Sequence, residues 1–449
     1  MKRRLGHGMA AAAIAVAVLL AGGGGAVARA DAELTPPGAV ARADAVLTLP
    51  DALARAEKIT LDFAKSSARR AKAELLWSRA LAGLQPTVIA SGTLALGKPI
   101  ESSAGAVRAP DSESGGASLS VSLFDGGAIA GAVAAHALRD SERAGAAADE
   151  AAARATVVRA YYAALAADEL VGVAERATTA AEAHVTDADV RHAEGAALKI
   201  DVTRAKLEAV KARADLASHR AAAASARALI ALLCGLDGDV TLVRPPPPDV
   251  PAAAGASILE LERRALASRA DLHSAAIAVD AARKSRAAAR WALAPTLTLN
   301  GSTGVSSVMT LDTPGLDYGV SLKLSWTLYD GGARFADITA GGIDLHTAEV
   351  AASELHARVL MEVRNGARDL EVARGAVVSS TEEVALARET LALAEERYRA
   401  GSGSGLEVVE ATQALTAAEG SLVTQELSAA LSGVELLRAL GDDLRDAGR

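Results

Sequence analysis

Aromatic side chains are nearly missing from this chain of 449 residues, with three Trp, five Tyr and three Phe making up 2 % of it. Hydrophobic residues reach 51 %, so apolar material for a core is ample. Without large rings, however, that core is not the interlocking interior of an ordinary globular domain; an alanine-rich composition favours helices whose backbones approach closely. Cysteine occurs once, at Cys234, which excludes an internal disulfide. The eight histidines show no HExxH or other ligand spacing; His184 and His192 lie on one helix face without a third partner. P-loop, GxSxG and cysteine-cluster signatures are absent, so neither an enzyme nor a cofactor or metal site is expected. The run GSGSG (401–405) has no strand before it and reads as a hairpin turn rather than a phosphate loop.

The first thirty residues have the pattern of an export signal. Lys2, Arg3 and Arg4 precede the apolar run AAAAIAVAVLL (10–20), and AVA or ARA (26–30) supplies small residues for cleavage. GAVARADA at 25–32 recurs at 38–45, so cuts after Ala28, Ala30 and Ala43 all remain open. Cleavage after Ala30 removes four cations and takes the formal charge from -8 to -12, which argues against a nucleic-acid partner. Beyond the signal no stretch reaches the ~18–20 consecutive apolar residues of a spanning helix. If the chain enters a membrane, it does so as a barrel.

Proline punctuates the rest. Residues 111–244 and 315–449 contain none, which permits very long helices, while RPPPPDVP (244–251) is a stiff divider. The halves on either side are copies. LQPTVIASGTLAL (84–96) answers LAPTLTLNGSTGV (293–305), LFDGG (123–127) answers LYDGG (328–332), and ALLCGLDG (231–238) answers LLRALGDD (436–443). Near-constant spacing across separate landmarks indicates duplication. The expected organisation is a signal (1–30), an N-terminal tail (31–48), repeat one (49–243), a Pro-rich linker (244–254), repeat two (255–442) and a C-terminal tail (443–449).

Each repeat reads as helix, strand, loop, strand, long helix, turn and shorter helix. The predicted spans are 50–84, 87–97, 117–124, 128–193 and 201–234, then 256–293, 296–306, 318–329, 333–399 and 406–440. Long helices of this size would extend ~100 Å, so the body is expected to be a long coiled-coil-like helical barrel. In the strands Val320, Leu322, Leu324, Trp326 and Leu328 alternate with Ser321, Lys323, Ser325 and Thr327, as Leu119, Val121 and Leu123 alternate with serines. Period two fits a half-buried soluble sheet as well as a transmembrane strand with a hydroxyl-rich lumenal face. Seven aromatics in or beside the strands, including Trp291, Tyr318, Trp326, Tyr329 and Phe335, favour the membrane setting. Four strands cannot close a barrel, and an open edge in lipid leaves backbone groups unsatisfied, so several chains must share one; three copies supply twelve strands. At Asp125-Gly126-Gly127 and Asp330-Gly331-Gly332 the chain is expected to leave the strand for a helix, with glycine supplying the backbone angles and aspartate the cap.

The signal, the duplicated strand–loop–strand ending in FDGG or YDGG, and the hairpin RYRAGSGSGLEVVEATQAL (397–415) together resemble the TolC-like outer-membrane efflux proteins over residues 47–442. The resemblance implies a mixed α/β membrane protein: a homotrimer with a shared β-barrel in the lipid of the outer membrane and a periplasmic helical tunnel. It further implies partnership with an adaptor (membrane fusion) protein and an inner-membrane pump, as the passive exit duct of a tripartite efflux or type I secretion system. The family's periplasmic gate pattern maps onto Tyr398, Gly401, Leu406, Glu407 and Glu410, with Gly195, Ile200, Asp201 and Arg204 matching in the first repeat. Glutamates stand at 407 and 410 where the family often has aspartates, and a basic tip residue found in some relatives is replaced by Gly403. These acids open their helices, where carboxylates suit the positive dipole end; lining a three-fold bore, they would form rings favouring cations. A closed tip is expected to use a Tyr398–Asp201 hydrogen bond and pairing of Arg204 with Glu407 or Glu410. The competing reading is a secreted structural coiled-coil protein with no pore. Met309 and Met361 are the only methionines after the signal, which tilts the substrate from copper or silver toward organic compounds or polypeptides.

Overall fold

The computed structural model describes residues 41–42, 45–96, 111–195, 197–237, 240–246, 250, 256–308, 315–442 and 444. The expected signal segment and the tail from 445 lie outside the described residues. The first copy contains β1 (Ala41–Arg42), β2 (Ala45–Leu47), α1 (Leu49–Ile59), α2 (Leu61–Ala82), β3 (Thr87–Leu96), β4 (Asp111–Asp125), α3 (Gly126–Ala193), α4 (Lys199–Leu233), β5 (Leu236–Asp237) and β6 (Val240–Leu242). The second contains α5 (Ile258–Ser268), α6 (Ala270–Trp291), β7 (Thr296–Val308), β8 (Gly315–Ser325), α7 (Ala333–Arg399) and α8 (Gly405–Leu440). Among the described residues no helix is long and apolar enough to cross a membrane.

Two compact units emerge from this order. The first takes Ser67–Ala144 and His273–Ser353; the second takes the described parts of Pro36–Ser66, Gly145–Leu272 and Glu354–Arg449.

The first unit is built on one antiparallel sheet of order β3-β4-β7-β8. Alternation puts Val88, Leu119, Val121, Leu297, Leu299, Val320, Leu322 and Leu324 on one face, and Thr87, Ser118, Ser120, Ser122, Thr298, Asn300, Ser302, Ser321 and Lys323 on the other. Ser120 Oγ donates to Asn300 Oδ1 at 3.0 Å across the β4–β7 seam on the polar face. A register shift between Ser122 and Phe124 brings Phe124, rather than Leu123, opposite Leu297. β8 stops at Ser325, short of the expected 329, because the next residues turn to other partners. Trp326 Nε1 donates to Leu293 O at 3.0 Å and Arg334 Nη2 to Thr327 O at 2.5 Å. Small residues let α6 and α7 approach here: a Cβ on Gly341 would stand 3.2 Å from Arg286 Cα.

In the second unit the core joins Leu47, Leu49, Leu53, Val157, Val158, Tyr161, Ile230, Leu236, Val240, Leu261, Val359, Val363, Leu436 and Leu440. Short parallel pairs β1–β5 and β2–β6 dock part of the expected N-terminal tail beside this core. Val250, in the segment read as a divider, is buried with it. Tyr161 Oη lies 2.6 Å from Val243 O and 2.8 Å from Leu47 O and accepts from Val243 N at 3.1 Å. Burial pushes its pKa up to about 12.

The helices expected as unbroken over 50–84 and 256–293 each break once. At Thr60 the chain is extended, and Thr60 Oγ1 donates to Leu233 O at 2.8 Å. At the matching break, Arg269 is 7 % exposed and donates to Asp271 Oδ2 (2.6 Å), Glu362 Oε2 (2.7 Å) and Ala439 O (3.3 Å), while Ser268 Oγ donates to Leu440 O. Both breaks satisfy carbonyls at the end of the repeat's last helix, which otherwise have no intrahelical partner.

Candidate functional site

Three local structures bear on a conduit: the sheet faces, the strand-to-helix junctions and the turns of the long hairpins.

The sheet is exposed on both faces. Its apolar side presents Tyr318, Val320, Leu322 and Leu324 to the surroundings, Val320 being 79 % exposed. Exposed aliphatic rows of this kind mark a surface that contacts lipid or another protein. The outer strands β3 and β8 have no second ladder partner among the described residues.

At the first junction Asp125 Oδ1 accepts from Ala128 N at 2.9 Å and caps α3. Gly126 is already helical and has no positive φ, so the expected angular freedom is not used here. Glycine here sits in a crowded place: a Cβ on Gly126 would meet Trp291 O, Trp291 Cε3 and Ala294 Cβ, all at 3.1 Å, and one on Gly127 would stand 3.4 Å from Ala292 Cα. At the second junction the backbone does take the expected angles. Gly331 and Gly332 have φ of 74° and 91°, and Asp330 accepts from Gly332 N, Arg334 N and Arg334 Nε.

The hairpin tips belong to the second unit. Gly195 and Gly401, with φ of 78° and 74°, end α3 and α7 in left-handed turns. The side chain of Asp201 accepts from Leu198 N at 3.2 Å, and Ser404 Oγ accepts from Glu407 N at 3.3 Å, so each following helix is capped locally. Tyr398 is 7 % exposed, packs with Ala394, Val408 and Ala411, and has a hydroxyl without a hydrogen-bond partner among the described residues. The expected Tyr398–Asp201 bond is therefore not made; the Asp201 carboxylate is engaged by its own helix start. Burial first, then the charge of Asp187, raises the Tyr398 pKa.

Arg191 holds Tyr398 instead. Its Nε pairs with Asp187 Oδ2 at 2.9 Å, its Nη1 donates to Tyr398 O at 2.8 Å, and its Cζ lies 4.4 Å from the centre of the Tyr398 ring. The His184 ring meets the same tyrosine edge-on at 5.6 Å. Burial lowers the His184 pKa against the opposing pull of Asp187, the Gly405 backbone, Glu395 and Asp201. Glu407 pairs with Arg397 Nη1 at 3.3 Å rather than with Arg204. A Cβ on Gly403 would stand 3.0 Å from Arg397 Cβ and 3.1 Å from Tyr398 N. Arg204 and Glu410 are both exposed. Farther along, Gln413 Nε2 donates to Glu208 Oε2 at 2.6 Å, and Glu419 pairs with Arg176 and Arg388, each at 2.8 Å. Burial disfavours the Glu419 carboxylate, but hydrogen bonds from Arg388 and Arg176 outweigh it and hold its pKa low. Sequence reasoning missed Arg191 and Arg397; their one legible signal was position, as cations in the last turn before each tip glycine.

A duplicated two-strand, two-long-helix unit with a lipid-compatible sheet face defines the fold of outer-membrane channel protomers. VceC from Vibrio cholerae, an outer membrane protein, superimposes with a TM-score of 0.74 at 18 % identity, over 88 % of this chain and 96 % of its own. The Campylobacter jejuni CmeC outer membrane channel gives 0.77 at 18 % identity, over 88 % and 85 %. Residues 261–442, most of the second repeat, match the outer membrane efflux protein family. Protein CyaE of Bordetella pertussis is 31 % identical over 124 residues, 28 % of this chain and 26 % of its own length, so the match spans about a quarter of that relative.

Proposed function

We propose that three copies close one twelve-stranded barrel in the outer membrane, and that the assembly is the passive exit duct of a tripartite efflux pump or type I secretion system, met in the periplasm by an adaptor protein and an inner-membrane pump. The observation that carries this reading is a four-stranded sheet with one aliphatic face and unpaired outer strands. In lipid each unpaired backbone group costs several kcal/mol, so a neighbouring copy must cover it.

Internal duplication supplies the register of that closure. β3 is the counterpart of β7, with Thr87 answering Thr296, and β4 is the counterpart of β8, with Phe124 answering Tyr329. The β4–β7 seam within the chain is thus the template for a β8–β3 seam between copies. Ser120 pairs with Asn300 and Ser118 with Ser302; the template therefore sets Ser325 opposite Ser91, and Lys323 opposite Thr93, of the neighbouring copy. It also accounts for Trp326–Tyr329, whose counterparts Val121, Ser122 and Phe124 are paired by β7 but not by β3.

Arg191, Tyr398, Arg397 and Glu407 hold the tip closed in this proposal, with Glu410 and Arg204 left for contacts between copies. The test is single-channel recording in planar bilayers. The purified protein gives small-conductance pores, and Arg191→Ala enlarges them several-fold. A wild-type protein soluble without detergent and electrically silent favours the structural coiled-coil reading; unchanged conductance in Arg191→Ala leaves the duct and removes the gate.

A further inference from the structure

The polar face of the sheet is almost free of charge. Thr87, Ser91, Thr93, Ser114, Ser118, Ser120, Ser122, Thr298, Asn300, Ser302 and Ser321 are all neutral. Three described residues break the pattern. Asp125 is engaged by the α3 cap, Asp317 lies at the far end of β8, and Lys323 sits opposite Thr298, two residues from the strand's helical end. Lys323 is exposed. Asp317 is six positions away along the strand, about 20 Å at 3.3 Å per residue, and beyond ionic contact. Across the seam inferred above, the facing residue is Thr93, and the described side chains of β3 on that face carry no acid. Among the described residues of the sheet, none supplies Lys323 with a counter-ion.

We infer that Lys323 is a specificity-determining residue of the conduit: three copies form a lysine ring inside the barrel that concentrates anions and favours permeants bearing negative charge. The inference rests on the proposed trimeric barrel. A ring of ammonium groups in a low-dielectric wall focuses its field into the bore, as charged rings do in other pores. At the tip, four acids are paired locally, Asp187 with Arg191, Asp189 with Lys206, Glu395 with Arg399 and Glu407 with Arg397, while Glu410 is exposed. The acidic character of the whole chain therefore does not describe its barrel.

The experiment uses the full-length protein in planar bilayers, with inositol hexakisphosphate added to one side and then the other. Block is expected from the barrel side alone, with the half-blocking concentration raised at least tenfold in Lys323→Gln and retained in Lys323→Arg. Block from the barrel side that is equal in wild type and Lys323→Gln, or absent in a wild type that conducts, overturns the lysine ring while leaving the duct intact. A protein that forms no pores defeats the proposed function, and the ring falls with it. Lys323→Glu gives a second readout, a several-fold rise in cation over anion permeability from reversal potentials; an unchanged ratio contradicts the inference.

Discussion

The two Asp-Gly-Gly junctions share their sequence and differ in their use of it. In the first, strand passes directly into helix and Gly126 is crowded, a Cβ there standing 3.1 Å from Trp291 and Ala294. In the second, four residues separate β8 from Asp330, and Gly331 and Gly332 are needed for positive φ, with nothing within 4 Å of where a Cβ would be. One motif thus answers a packing constraint in one copy and a backbone constraint in the other. The helix breaks diverge in the same way. A neutral hydroxyl serves at Thr60, while its counterpart Arg269 is a buried guanidinium held by two carboxylates and a carbonyl. Duplicated sequence conserves where the chain must turn more faithfully than it conserves the interaction that makes it turn.

The largest separation of the copies is expected at the breaks. Arg269→Ala takes the guanidinium from Asp271, Glu362 and the Ala439 carbonyl, leaving Asp271 to the Leu272 N–H and Glu362 to Arg438, and costs about 3 kcal/mol. Thr60→Ala removes one hydrogen bond and costs about 1 kcal/mol. Denaturant unfolding of the detergent-solubilised protein reads both, and equal losses would erase the distinction. At the junctions, Gly126→Ala forces three contacts at 3.1 Å to give way and costs about 2 kcal/mol through overpacking. Gly332→Ala costs about 1 kcal/mol through strain. Asparagine sharpens this contrast, because it visits the left-handed region: Gly331→Asn is nearly neutral, whereas Gly126→Asn is at least as damaging as Gly126→Ala. The reverse order would show that both glycines serve the same purpose.

The smallest effect concerns the tips, where only one copy places a histidine against the other hairpin's tyrosine. Because the folded-state pKa of His184 is lowered, the unfolded state binds the proton first. Tip stability is therefore full above the ordinary histidine value of about 6.5 and falls as pH drops from there toward the lowered folded value. Hydrogen exchange of amides 391–411, corrected for intrinsic rates, is expected to speed up less than tenfold between pH 7.5 and 5.5, and His184→Gln should abolish that dependence. An identical pH response in the variant would assign it to other groups.

Long elements were legible because their signals accumulate. Proline-free, alanine-rich runs gave α3 and α7 to within two residues; alternation placed the strands, although β4 begins at Asp111, six residues before the expected 117, and β8 ends at Ser325 rather than 329. The unread features are those with no repeat to sum. Parallel pairs of two or three residues, such as β1–β5 and β2–β6, depend on distant partners. The breaks at Thr60 and Arg269 contain no proline or glycine and arise from tertiary hydrogen bonds. At the tip, Tyr398, Glu407 and Asp201 were identifiable by position, but their partners were not. Asp201 was within reach of its own helix start, and two arginines on the preceding helices were better placed than Arg204.

A shared barrel stands or falls with the seam between copies. Its most direct test is oxidative cross-linking of Ser91→Cys with Ser325→Cys in the native membrane, a pair that copies the contact between Ser120 and Asn300. The duplicated register predicts a covalent trimer on denaturing gels, and no such product when Ser91→Cys is replaced by Ala90→Cys on the opposite face. Monomers from the first pair, or equal cross-linking from both, would contradict a shared barrel closed in this way.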